Sequence, residues 1–149
     1  MLELSAVDLD GLAEALEEHS DVLRWFIDPS SGELIPWSED MDEPDPEERG
    51  ALYVYPIPSY EAYEDLRDFV AQVHDRRAAD LLGRAIEGRG AFRRFRDTLF
   101  EFPELREAWF AFHGVRMRRR AIEWLSDAGL IDERDAESTL ATLTDAPLG

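Results

Sequence analysis

The periodicity of the chain changes at Pro58, and that change limits the folds open to it. Between a first short helical pattern and Pro58, apolar residues come in short β-branched and aromatic runs broken by proline and glycine. After it, they recur at helical spacing almost to the end. A chain built this way predicts an α+β fold. A small antiparallel sheet of about three strands near the N-terminus packs on a helical bundle with a central long helix.

The sheet is read from three runs. Val22-Leu23-Arg24-Trp25-Phe26-Ile27 is strand-like, Asp28-Pro29-Ser30-Ser31-Gly32 is a turn, and Glu33-Leu34-Ile35-Pro36-Trp37 returns as a hairpin partner. Pro36 has no N–H to give a ladder, so its strand belongs at an edge or ends early. Leu52-Tyr53-Val54-Tyr55-Pro56-Ile57-Pro58 is a third strand. A first helix over residues 6–19 precedes the sheet, with Leu9, Leu12, Ala13 and Leu16 on one face and Asp8 or Asp10 as its cap.

Four helical patterns follow Pro58. Ser59 caps a helix over 60–73, a second covers 76–87, and a third covers 90–102 with Phe92, Phe95, Leu99 and Phe102 as its stripe. Pro103 opens a fourth, which Gly129 ends. Plotted at about 100° per residue, this last helix is apolar on two faces. Leu105, Phe112 and Ile122 lie on one, and Phe110, Met117 and Trp124 on the other, which predicts a sandwiched, central helix. Arg119 falls inside the first stripe and is expected to be buried against a carboxylate or helix-end carbonyls. Residues 133–143 predict a short final helix.

The chain of 149 residues is expected to be one domain, with an acidic helix-and-sheet part over 1–58 and a helical part over 59–149. The absence of cysteine excludes disulfides, thiolate metal sites and cysteine nucleophiles. No apolar run reaches the roughly 20 residues that span a bilayer. Met1-Leu2-Glu3-Leu4-Ser5 lacks the basic start of a secretory leader, so the expected location is cytoplasmic, with no membrane partner.

The net charge of −18 is unevenly placed. Residues 1–66 hold 19 acids and two arginines, whereas residues 67–120 hold 13 arginines and eight acids. Either the acidic and basic parts neutralise one another internally, or the basic part faces a polyanion. All 16 basic residues are arginine, including those with no evident role, so the choice of arginine over lysine says little about function.

The basic segment centres on Glu87-Gly88-Arg89-Gly90-Ala91-Phe92-Arg93-Arg94-Phe95-Arg96-Asp97. Gly88 and Gly90 make a tight turn between helices. The same turn could hold an anion at the N-terminus of the next helix, ringed by Arg89, Arg93 and Arg94. Arg93 and Arg96 project to one side of the phenylalanine stripe and Arg94 to the other. Either they pair with carboxylates, or they converge with Arg116 and Arg120 on a phosphate surface. Arg89, Gly90, Arg93, Arg94, Arg96, Arg116 and Arg120 are therefore the candidates for anion or partner binding, and Arg119 is the structural arginine.

Other chemistry is thinly represented. Glu39-Asp40-Met41-Asp42-Glu43-Pro44-Asp45 lacks the ligand alternation and central glycine of a calcium loop, and reads as a solvated acidic loop. His19, His74 and His113 form no metal-binding pair, and no serine sits in a nucleophile elbow. No metal or cofactor is expected.

Ala85 to Asp97, followed by Phe102-Pro103-Glu104-Leu105-Arg106-Glu107-Ala108-Trp109-Phe110-Ala111-Phe112 and by Arg116-Met117-Arg118-Arg119-Arg120-Ala121-Ile122-Glu123-Trp124-Leu125, resembles the bacterial uncharacterised protein family 0158. The resemblance covers residues 80–126 and, more loosely, the hairpin. It implies the same fold and lends no residue a catalytic role. The function read from the sequence is a non-enzymatic binding or regulatory module acting through a protein partner. The alternatives are a nucleic-acid-binding protein using arginines of segment 89–120, and an enzyme with a site between sheet and helices.

Overall fold

A computed structural model describes residues 1–143, and they fall into two compact units. The first comprises residues 1–57 and 117–143, and the second residues 58–116. One boundary coincides with the change of periodicity at Pro58. The other falls inside the long helix, so residues 117–143 group with the N-terminal segment rather than with the helical part. Among the described residues, the first unit holds 22 acids and six arginines, and the second 11 acids and 10 arginines.

In the first unit, a 3-10 turn at Leu4–Ala6 precedes helix α1, Leu9–Leu16, which starts later and ends earlier than its sequence pattern. Asp8 caps α1 by accepting from the Gly11 N–H at 3.0 Å. Strands β1 (Arg24–Ile27), β2 (Leu34–Trp37) and β3 (Leu52–Val54) form an antiparallel sheet in the order β2-β1-β3. The α+β class and the three-stranded sheet are as the sequence predicts. Pro36 lies on the edge strand β2, where its missing donor costs no ladder bond to a second neighbour. Phe26 packs with Trp37 on β2 and Tyr53 on β3, at ring centroid distances of 6.4 and 5.3 Å.

Ser30 closes the β1–β2 turn by donating to Asp28 Oδ1 from its hydroxyl at 2.7 Å and its N–H at 2.8 Å. The hydroxyl bond, and then the backbone bond, favour the charged carboxylate and hold its pKa below the ordinary aspartate value. This contribution to stability is complete above the unfolded aspartate pKa and is lost as pH falls through the lower folded one. Ser30→Ala is expected to raise the Asp28 midpoint in an NMR titration of the carboxyl carbon. An unmoved midpoint would refute the role given to the hydroxyl.

The second unit contains α2 (Ser59–Ala71), α3 (Arg76–Ala85), α4 (Ala91–Leu99) and the start of α5 (Pro103–Asp127). Pro58, not Ser59, occupies the N-cap of α2, and no side chain caps it. Proline suits the extended cap conformation, and Ser59 lies already inside the helix. Asp75 caps α3 by accepting from the Ala78 N–H at 2.9 Å. The core is aromatic: Phe69 meets Phe95, Trp109 and Phe112 at centroid distances of 6.1, 5.3 and 5.5 Å.

Helix α5 buries one apolar face in its first half and residues of both faces in its second. Its first half buries Phe112, and its second half buries Met117, Ala121, Ile122 and Leu125. Phe110, at the angular position of Met117 and Ala121, is 62% exposed, so the expectation of a helix enclosed on both faces throughout does not hold at that turn. Helix α6 (Glu133–Thr142) completes the first unit, capped by Asp132. Among the described residues, no helix is long and apolar enough to cross a membrane.

Candidate functional site

The arginine-rich segment resolves into three groups with different partners. The first is at the α3–α4 turn. Gly88 and Gly90 adopt left-handed backbone conformations, with φ of 73° and 76°, which only glycine takes without strain. Arg94, one turn into α4, folds back over this turn. Its Nε donates to the Ala85 carbonyl at 2.9 Å, and its two terminal nitrogens donate to the carbonyls of Arg89 and Glu87. Tyr63 donates to the Ile86 carbonyl at 2.7 Å. The end of α3 would otherwise leave carbonyls without donors, and Arg94 and Tyr63 supply them.

Arg94 therefore serves the chain's own backbone. Gly90 is tied to the same role, since a Cβ there would lie 3.0 Å from Arg94 Nη1. Arg94→Ala is expected to cost about 1–2 kcal/mol. Arg94→Lys is expected to recover little, because an ammonium cannot span three carbonyls as a planar fork does. Denaturant midpoints of both variants check this, and a wild-type midpoint for Arg94→Ala would refute it.

The second group is Arg116 with two aspartates. Asp65 is 1% exposed, one of the few buried polar residues among the described ones. Arg116 Nη1 lies 3.4 Å from Asp65 Oδ1 and 2.8 Å from Asp68 Oδ2. Its guanidinium carbon sits 4.7 Å from the Phe112 ring centroid. Spacing on α2 puts both carboxylates within reach of one guanidinium, as positions three apart share a face.

Three further arginines of α5 have contacts in the first unit. Arg119 is half-buried rather than enclosed, and Nη2 donates to the carbonyl of Leu143, the C-cap of α6, at 2.8 Å. Arg120, in the first unit with Arg119, points a nitrogen at Met117 Sδ, 3.4 Å away. Arg118 pairs with Asp10 at 3.0 Å.

The third group lies on the outer face of α4, and sequence reasoning misplaced part of it. Phe92, expected in the core stripe, is 42% exposed. The buried positions of α4 are Ala91, Phe95 and Leu99, and Phe92 stands at the helix's first turn, at the edge of that face. The helix also stops at Leu99, short of 102, which leaves Phe100 at the C-cap and 66% exposed. Phe92, Arg96 and Phe100 follow one another at i, i+4 and i+8, so they form one exposed stripe. Arg93 stands beside it, loosely paired with Asp97 at 4.0 Å. The Arg106 guanidinium lies 5.3 Å from the Phe100 ring. The four-residue spacing was visible in the sequence, but the early end of the helix was not.

A cleft of about 710 Å³ in the same unit is lined by His74, Asp75, Glu101 and Glu104 above Val73, Phe102 and Leu105. Asp75 is occupied as the α3 cap. Among the described residues, no three histidine or acidic side chains group so as to hold a metal ion. His113 stacks on Trp109 at 5.0 Å.

Fold and site together define an acidic α+β protein whose basic residues serve internal contacts at one turn and one buried cluster, and which shows an aromatic–arginine stripe to solvent. The chain belongs to the uncharacterised protein family UPF0158, whose family model matches residues 3–141. The match takes in the acidic loop and the residues after Gly129, beyond the stretch that carried the resemblance. A UPF0158 protein of Pseudomonas aeruginosa is 28% identical over 127 residues, covering 81% of this chain and 82% of the relative. No solved structure matches.

Proposed function

We propose that the chain is a non-enzymatic binding module of the cytoplasm that acts through a protein partner, with the outer face of α4 as its contact surface. The observation that carries this reading is the exposed stripe Phe92–Arg96–Phe100, flanked by Arg93 and Arg106. Phenylalanine and arginine are enriched in protein interfaces, and a large ring left in water gains most from being covered. Arg94 and Arg116 support the reading by contrast, since their guanidinium groups are engaged inside the unit.

A photo-crosslinking residue in place of Phe100, used in intact cells, tests it. The expected product is an adduct with a protein that is lost in Arg96→Ala. Adducts only with nucleic acid, or none at all, would overturn the proposal.

The exposed rings also suit base stacking, which is the observation favouring a nucleic-acid reading. The net charge of −18 opposes it. Fluorescence anisotropy of labelled RNA and DNA across salt separates the two: salt-sensitive binding lost in Arg93→Ala/Arg96→Ala would put nucleic acid first.

A further inference from the structure

We infer that the occupant of the α4 face is the acidic loop of a second copy of this chain. The inference rests on the α4 face being a protein-binding surface, and it names the partner. The face asks for two things at once, an apolar group to cover Phe92 and Phe100 and carboxylates to meet Arg93 and Arg96. The loop between β2 and β3 offers both. Met41 is 41% exposed, and Glu39, Asp40, Asp42 and Glu43 around it are exposed as well.

The loop is shaped before any partner arrives. Met41 N–H donates to the Ser38 carbonyl at 3.0 Å, and Ser38 is itself buried. Trp37 Nε1 donates to the Glu43 carbonyl at 3.1 Å, which ties the far side of the turn to the sheet. The Met41 side chain is thus held out on a fixed turn with an aspartate on each side, so little ordering remains to be done on contact.

Dimensions agree. Eight residues of α4 separate Phe92 from Phe100, about 12 Å along the axis. A methionine between the two rings makes sulfur–aromatic contacts, the kind an adaptable side chain forms well. Asp40 and Asp42 then fall within reach of Arg93 and Arg96, which lie between the two rings on the same face. Charge follows the same division, since the loop lies in the unit with 22 acids and six arginines, and α4 in the nearly balanced one. The contact joins two different surfaces, so each copy keeps one of each, and association continues to a ring or a chain.

Sedimentation velocity over a concentration series tests this with two variants, Phe92→Ala/Arg96→Ala and Asp40→Ala/Met41→Ala/Asp42→Ala. Circular dichroism confirms that both are folded. The wild type is expected to show species larger than one chain that grow with concentration, and each variant alone is expected to lose them. An equimolar mixture of the variants is expected to regain a species of two chains and nothing larger, because only one intact loop and one intact face remain per pair.

A wild type that stays monomeric throughout overturns the inference, as does an oligomer that either variant leaves intact. The crosslink from position 100 tells this failure from that of the binding face itself. A monomeric chain that still gives the Arg96-dependent adduct with another protein keeps the face and loses the second copy.

Discussion

Arg116→Met is expected to cost about 3 kcal/mol of folding stability, the low end of what breaking a buried ion pair costs. The low end applies because the Arg116 side chain is 23% exposed and its 2.8 Å contact is to the half-exposed Asp68. The cost arises chiefly at Asp65, whose carboxylate is almost fully enclosed and loses a cation that faces it. If that account is right, Asp65→Leu/Arg116→Met recovers most of the loss, since an apolar pair of similar size has no charge to desolvate. Denaturant unfolding followed by tryptophan fluorescence measures both. A double variant as unstable as the sum of the two single variants would show no coupling between Asp65 and Arg116 and would refute this account.

Phe69→Ala is expected to cost more, about 3–5 kcal/mol, as large aromatic truncations in a core do. Phe69 is completely buried and touches Phe95, Trp109 and Phe112, which come from α4 and α5. Its removal leaves a cavity bounded by rigid rings that cannot collapse into it. Phe92→Ala, one turn from Phe95 on α4, is expected to change stability by less than about 1 kcal/mol, because Phe92 is 42% exposed and lies outside the core. Equal losses for the two would mean that Phe92 is packed after all, and would remove the main support for the α4 contact surface.

How far the sequence could be read follows from what each residue answers to. Strands β1 and β2 were legible because Trp25, Phe26, Ile27 and Ile35 favour a pleated surface and Asp28 to Gly32 can only be a turn. Pro36 placed β2 at the edge for a reason internal to proline. Helix ends were less legible. Ser59 looked like a cap, yet Pro58 takes that place, because the extended backbone of the proline suits the cap and Ser59 is already helical. Phe92 and Phe102 matched the periodicity of a thirteen-residue helix, but α4 is shorter, so one ring went to solvent and the other to the start of α5.

The arginines were the least legible of all. Arg94, Arg96 and Arg116 look alike in a sequence, and their roles depend on the carbonyls, solvent and carboxylates that folding brings near. Arg94 meets the carbonyls at the end of α3, nine residues back in the chain, and Arg116 meets Asp65 across 51 residues. Local pattern carries the first only weakly and the second not at all.

The uneven charge of the two units gives the chain two opposed responses to dissolved salt. In the unit with the acid surplus, like charges repel, and ions that crowd around them relieve the repulsion. In the other, exposed attractions such as Arg93–Asp97 and Arg84–Asp80 are weakened by the same ions. Raising the ionic strength should therefore firm one part of the molecule while loosening the surface of the other, so that the salinity at which the protein works selects which part gives way first.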